Sequence, residues 1–335
     1  MEDFKQKNNL RLSIIIPVYN AVSYLERCVK SCLSQDFSHN EYEILLCNDG
    51  STDKSLELAS KLSSEHDCIK VFSQENAGAG MARNLGLKNA IGKYVIFVDS
   101  DDYLAPNSLK PLLKKCEELN LDLCKYVIEC IFLDSGQHKL RLSPIETNVV
   151  FGGDELLRRP EVPLDSACSS FYKREFLVTN NLYFSGQTSS EDVAFNMRVY
   201  PNAKRVMYSN NHVYTYEVRT GSRRHSTDLD SRKRYLFNNI RNAGHVMKAA
   251  NDNTLLSDET CKSLKKRSRS MTIGALIELQ NAKNVFPREI AEEALDFAHE
   301  QGLYPIKGCS FSWKTTLLAH MMLNNKKLFL SRFKK

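Results

Sequence analysis

Four short apolar runs, each stopping at a cluster of small polar residues, fill the first 102 residues and constrain the fold more than anything else in the chain. Ser13-Ile14-Ile15-Ile16-Pro17-Val18 is β-branched and too short for a buried helix. It therefore reads as a strand covered on both faces. Runs at 42–47, 69–72 and 94–98 repeat the pattern. Between them the apolar residues return at helical spacing: Tyr24-Leu25, Cys28-Val29 and Cys32-Leu33 in the first gap, then 54–63 and 80–90. Strand-helix alternation of this kind predicts an α/β fold with a mostly parallel, Rossmann-like sheet flanked by helices.

The rhythm changes after Pro106. A helix is expected over 108–119 and a strand over 121–132, followed by edge strands or a hairpin in the polar stretch up to 150. Further on, a strand over 169–172, helices over 173–180 and 193–200, and an extended segment over 205–216 are expected. Beyond residue 231 the apolar positions recur every three or four residues, which predicts helices over 232–250, 257–282, 287–301 and 312–333. The formal charge of +6 is unevenly spread: −3 over residues 1–110, −2 over 111–218 and +11 over 219–335. The basic excess thus belongs to the helical tail, which suits contact with something anionic. No apolar run approaches the roughly 18 residues a membrane span needs. The mixed charges of the first 13 residues are unlike a signal peptide, so a cytoplasmic location is expected. The 10 cysteines include no C-x-x-C pair; they read as reduced, small core residues rather than a zinc site or a disulfide framework.

Chemistry is concentrated where the apolar runs end. In open α/β sheets, ligands bind outside the carboxyl ends of the strands. Three such ends carry Pro17-Val18-Tyr19-Asn20, Asn48-Asp49-Gly50-Ser51-Thr52-Asp53 and Asp99-Ser100-Asp101-Asp102. Three carboxylates within four residues repel one another unless a cation is present, and hard oxygen donors suit Mg2+ or Mn2+. A capped turn is the plainer reading, although one aspartate suffices for a cap. Asn76–Asn84 is a glycine-rich loop opening a helix, with Arg83 its single cation; glycine admits a ligand to the backbone and arginine offers a fork for phosphate or base. Gly78-x-Gly80 imitates a dinucleotide fingerprint, but Arg83 stands at its third glycine position and the first strand-helix turn, 17–22, has no glycine.

These segments resemble, in order and spacing, the family 2 glycosyltransferases of the GT-A fold, of the type that builds bacterial surface polysaccharide. The match rests on Ser13-Ile-Ile-Ile-Pro-Val-Tyr-Asn20, Asn48-Asp-Gly-Ser-Thr-Asp53, Asn76-Ala-Gly-x-Gly-x-Ala-Arg-Asn-x-Gly86 and Phe97-Val-Asp-Ser-Asp-Asp102. Downstream, Ser190-Glu191-Asp192-x-x-Phe195 looks like the family's catalytic Glu-Asp motif, and Val213-Tyr-x-Tyr216-x-x-Arg219-x-Gly-Ser222 like the segment that follows it. The resemblance spans about residues 11–225. It implies a GT-A nucleotide-sugar-binding and catalytic domain over 1–225 and a basic α-helical region over 226–335.

What the resemblance implies for the site is an inverting, metal-dependent transferase of the hexosyl or N-acetylhexosaminyl type with a nucleotide-sugar donor, UDP-linked. Pro17, Tyr19 and Asp49 would line the base and ribose pocket, Arg83 would reach base or phosphate, and Asp99 with Ser100 the ribose. Asp101, with Asp99, would hold Mn2+ or Mg2+ through its DXD motif. Arg219 and Ser222 would stabilise the departing diphosphate, and Asp192 would be the general base, with Glu191 orienting it or the acceptor. His212 is a further metal-ligand candidate, though a packed or surface histidine is the plainer reading. The acceptor implied is a glycan or a lipid-linked hydroxyl.

Two other classes remain open on the sequence. A basic nucleic-acid-binding protein would draw on Lys262, Lys265, Lys266, Arg267 and Arg269, but that cluster lacks interleaved aromatics for base stacking, so no nucleic acid is expected. A catalytically inactive sugar-binding module would not need Asp99, Asp101 and Asp192 together. Finally, Trp313, Leu317, Leu318, Met321, Met322, Leu328, Phe329 and Phe333 stand among Lys314, Lys326, Lys327, Arg332, Lys334 and Lys335. That composition suits a peripheral position on an anionic membrane surface as well as a helix packed on the protein.

Overall fold

The computed structural model describes residues 10–38, 40–142, 145–186, 191–218 and 228–333. The chain divides into two compact units: Met1–Gly153 with Pro163–Val218, and Asp154–Val162 with Arg219–Lys335.

The first unit is built on a ten-stranded sheet. Its strands are β1 (Leu12–Val18), β2 (Tyr42–Asp49), β3 (Ile69–Gln74), β4 (Tyr94–Phe97), β5 (Tyr103–Leu104), β6 (Leu123–Phe132), β7 (Gln137–Arg141), β8 (Val150–Phe151), β9 (Ser170–Lys173) and β10 (Val206–Val218). The order is β3-β2-β1-β4-β9-β6-β10-β5, with β7 on β6 and β8 on β10. The first four strands are mutually parallel, as the alternation predicts. Beyond β4 the sheet is mixed: β9 runs antiparallel to both β4 and β6, while β6 and β10 are parallel to each other. The helices over this stretch of the chain are α1 (Leu25–Leu33), α2 (Ser55–Glu65), α3 (Ala79–Asn89) and α4 (Leu109–Glu118), then α5 (Gly153–Arg158), α6 (Arg174–Thr179) and α7 (Glu191–Asn202). All but the first residue of α5 belongs to the second unit.

Both strand faces are covered at the centre: every residue of β1 and β2 is buried. Parallel pairing Leu12↔Tyr42 through Val18↔Asn48 and Leu12↔Tyr94 through Ile15↔Phe97 brings the carboxyl ends of β1, β2 and β4 to one sheet edge. Close approach of α3 depends on Gly86, where a Cβ would sit 2.3 Å from Ile15 Cγ2 and 2.9 Å from Cys47 Sγ. Phe97, Tyr172, Phe184 and Phe195 form an aromatic floor, with Phe184 and Phe195 stacked at 4.1 Å.

The second unit is helical: α8 (Leu229–Asp252), α9 (Asp258–Asn281), α10 (Arg288–Glu300), α11 (Trp313–Leu318), a π-helical turn at Ala319–Leu323, and α12 (Lys326–Leu330). Asp228 and Ser257 cap α8 and α9 with their side chains. Residues 154–162 join this unit through Asp154, which accepts from Ser257, and through the carbonyls of Arg158 and Val162, which accept from Ser263 and Arg267. The segment 312–333 is not the single helix that its periodicity predicts. Asn324 exchanges hydrogen bonds with the backbone of Ile306, and Asn325 caps Leu328, so the two asparagines break the helix and turn it back on itself. Phe329 and Phe333 consequently belong to the core of this unit rather than to an outward face. All ten cysteines are free thiols, eight of them buried. No helix of the described residues is long and apolar enough to cross a membrane.

Candidate active site

The turn after β2 is shaped by Asp49. Its carboxylate is 2 % exposed and accepts hydrogen bonds from Gln74 Nε2 (2.7 Å), Ala77 N (2.9 Å) and Gly78 N (2.8 Å). It thereby fixes the glycine-rich loop at the start of α3. Gly50 has φ +68°, and a Cβ there would meet Asn76 N at 2.8 Å, so the Asp49-Gly50 turn and the loop need glycine to lie this close. The turn after β1 is tied to the same edge: Asn20 Oδ1 accepts from Thr52 N (2.9 Å), and Ser55 Oγ accepts from Ala21 N (2.8 Å). Pro17 is buried in β1, whereas Tyr19 is exposed at the lip.

Arg83, on α3, organises the centre. Only 3 % exposed, it donates to Asp99 Oδ1 at 2.7 Å, lies 3.4 Å from Asp192 Oδ1 and 3.6 Å from Glu191 Oε1, and stacks over Phe184. Burial alone would favour its neutral form; Asp99, Asp192 and Glu191 reverse that and hold its pKa above the ordinary arginine value. Glu191 and Asp192 open α7, where their charge also suits the helix dipole. At Gly80 a Cβ would stand 3.1 Å from Phe184 Cβ, so the start of α3 packs closely on the aromatic floor beside this cluster. Asp192, its side chain a quarter exposed, is pushed up to about 7. Burial is the main cause; Arg83 pulls it down, and Glu191 and Asp99 push it up again.

The aspartates after β4 do not act alike. Asp102 is 2 % exposed and points into the protein, where Tyr214 Oη donates to its Oδ2 at 2.6 Å and Glu217 N to its Oδ1 at 3.3 Å. Burial, then Asp99 and Asp101, push its carboxyl up to about 8. The crowding of three carboxylates inferred from sequence is thus relieved by turning one inward as a structural acid. Asp99, its side chain a third exposed, faces Arg83, and Asp101 is exposed. Ser100 is half-buried between them. Among the described residues no three His, Cys, Asp or Glu side chains gather into a cage that could hold a metal. Asp99 and Asp101 offer hard oxygens in the number a Mg2+ or Mn2+ ion needs when substrate phosphates complete its shell, so the donor set fits such an ion. His212 lies instead against Thr215 (3.1 Å) and Glu129 (3.6 Å).

The structure therefore brings together Asp99, Arg83, Glu191 and Asp192, and sets Pro17, Tyr19, Asp49, Ser100 and Asp101 on the same strand ends. Arg219 and Ser222 lie outside the described residues. Sequence reasoning missed Arg27, which donates to the Asp101 carbonyl (2.8 Å) and pairs with Glu217, clamping the acidic turn to the end of β10. It also missed the role of Tyr214, whose oxygen accepts from Asp99 N at 3.2 Å. Spacing within α1 gives no sign of the first. The second lay in a motif whose tyrosines had no assigned partner.

An open α/β edge carrying a carboxylate cluster around one buried arginine has the form of a polar ligand site at strand ends, and comparison with known proteins gives its class. The family model for glycosyl transferase family 2 matches residues 13–179. The uncharacterized glycosyltransferase YibD of Escherichia coli (strain K12) is 30% identical over 246 residues, covering 71% of this chain and 68% of its own length. The chain belongs to glycosyl transferase family 2. A crystal structure of S. aureus TarS 1-349 in complex with UDP superposes with a TM-score of 0.71 at 22% identity, covering 96% of this chain and 90% of that one; the UDP-GlcNAc complex gives 0.69 at 21%. TarS, a poly(ribitol-phosphate) beta-N-acetylglucosaminyltransferase, is the longer protein: the sequence match, 29% identical over 213 residues, covers 63% of this chain and 36% of TarS. The mannosyltransferase PcManGT from Pyrobaculum calidifontis, in complex with GDP-Man and Mn2+, gives a TM-score of 0.55 at 15% identity over 96% of this chain and 85% of its own.

Proposed function

We propose that this glycosyltransferase moves a sugar from a UDP-linked donor to a hydroxyl of a glycan or lipid-linked acceptor with inversion at the anomeric carbon. The observation that carries the reading is the Arg83 hub, which joins a strand-end carboxylate, Asp99, to the acidic start of α7, Glu191-Asp192. A nucleotide held at the strand ends would then place its sugar beside Asp192. Family membership and the UDP and UDP-GlcNAc complexes of the TarS neighbour support the choice of donor.

In this reading Pro17, Tyr19 and the loop shaped by Asp49 form the base and ribose pocket, with Asp99 and Ser100 toward the ribose. Asp192 takes the acceptor proton as the hydroxyl attacks from the face opposite the leaving group. A carboxyl raised to about 7 is a stronger base than an ordinary aspartate while still ionised in useful amount near neutrality. Glu191 steers the acceptor and tunes Asp192, and Arg83 keeps Asp192 from being protonated outright. Asp101, with Asp99, would hold Mn2+ or Mg2+, which when bound neutralises charge on the departing diphosphate. Arg219 and Ser222 are assigned to the same diphosphate, the chemistry to residues 1–225, and a separate helical role to 226–335.

The test separates binding from chemistry. Asp192→Asn should bind UDP as the unaltered protein does and lose about 100-fold or more in transfer, the usual worth of a positioned base. Full transfer by that variant would remove Asp192 from the role.

A further inference from the structure

One short helix of the second unit leaves most of its apolar side chains in solvent. α11 buries none of its six residues: Trp313 is 72 % exposed and Leu317 49 %. Met321, in the π-helical turn that follows, is 64 % exposed, and Phe311 and Leu328 are 48 % and 41 % exposed. Trp313, Leu317 and Met321 are spaced four apart and all face out, while Ala319, Leu323, Phe329, Leu330 and Phe333 face in and complete the core. The outward set, which includes the chain's single tryptophan, takes no part in that core. Large apolar residues gathered on one exposed face are unusual on a protein that keeps that face in water.

The segment that carries the patch has one sign of charge. Residues 301–335 contain seven lysines and arginines and no aspartate or glutamate. Lys307, Lys314 and Lys327 are exposed beside the patch. Arg269 of α9 donates to the carbonyl of Cys309, adding a cation to the same rim. Lys326 is the exception, paired with Asp296. An aromatic and aliphatic face on a segment that carries lysines and no acid of its own, with Asp296 and Glu292 close only at its Lys326 end, matches an anionic lipid surface: rings and alkyl chains enter the headgroup boundary while lysines pair with phosphates.

We infer that the face formed by Phe311, Trp313, Leu317, Met321 and Leu328 seats the protein on an anionic bilayer surface. This inference does not depend on which donor or acceptor the enzyme uses. The full chain is mixed with phosphatidylcholine vesicles, with or without phosphatidylglycerol, then sedimented while tryptophan emission is read. Because Trp313 is the only tryptophan, its emission reports this face directly.

Co-sedimentation with the anionic vesicles, a shift of emission to shorter wavelength and weakening by added salt are expected. Leu317→Ser with Met321→Ser, both exposed positions, should leave the circular dichroism unchanged and weaken partitioning about tenfold or more. Lys314→Gln or Lys327→Gln should each weaken it about fivefold. Unshifted emission with vesicles present would overturn the inference, as would equal binding to zwitterionic and anionic vesicles or undiminished binding by the double serine variant. A blue-shifted emission without lipid that disappears on dilution would assign the face to a second copy of the chain instead.

Discussion

Replacing Arg83 with methionine should move the acidic limb of the pH-rate profile upward by about one to two pH units. Arg83 Nη1 stands 3.4 Å from Asp192 Oδ1. Two unit charges at that distance interact by roughly 1.2 kcal/mol under full water screening, and roughly 2.4 kcal/mol if the effective dielectric is halved. Asp192 is a quarter exposed, so the pair belongs in that screened range rather than in a dry interior. At about 1.4 kcal/mol per unit, the loss of Arg83 raises the Asp192 pKa by about one to two units above its value near 7. Glu191→Gln should act in the opposite sense, because Glu191 pushes Asp192 up. The assay is the initial rate of nucleoside diphosphate release at saturating donor, followed from weakly acid to alkaline pH. The maximum rate of the Arg83 variant falls as well, since Asp99 loses its partner. The position of the limb, not its height, reports the Asp192 pKa. If both variants keep the limb at its original pH, or move it the same way, the Arg83 hub does not tune the base.

Other consequences concern stability. Asp102 is raised to about 8 from the ordinary value of about 4, so the native state holds a proton that the unfolded chain releases; this group costs stability as pH rises through that window. Asp102→Asn should therefore melt progressively higher relative to the unaltered protein between pH 5 and 8, and a difference independent of pH would contradict the inward, protonated assignment. Gly86→Ala sets a methyl 2.3 Å from Ile15 Cγ2 and should cost about 1–3 kcal/mol, seen as a drop of several degrees in thermal melting. An unchanged melting temperature would mean that α3 moves away from the sheet at little cost.

The parallel half of the sheet was readable because buried parallel strands are continuous apolar runs, and those at 13–18, 42–47 and 94–98 end at the residues that meet at the sheet edge. β7 and β8 were legible only as edge strands or a hairpin without bounds, because Gln137 to Leu140 are exposed, Arg141 and Val150–Phe151 only half-buried, and little hydrophobic pattern marks where each strand starts and stops. The break after α11 depends on Asn324 meeting Ile306, a contact eighteen residues away that local periodicity cannot report. At the site, residue types were legible but their directions were not. Asp99, Asp101 and Asp102 look alike in sequence; Tyr214, more than a hundred residues downstream, decides which of them turns inward. Arg83 reads from sequence as the one cation of a glycine-rich loop; that three carboxylates enclose it is visible only once α3 and α7 are packed side by side.

The central claim is that these strand ends hold a nucleotide sugar and that Asp192 faces it. Incubating the full chain with Mn2+ and a panel of UDP-, GDP- and dTDP-sugars, while measuring release of the nucleoside diphosphate, tests it most directly. Release from at least one UDP-sugar, abolished by Asp192→Asn, is the expected result; no binding and no release with any UDP-sugar would contradict the account.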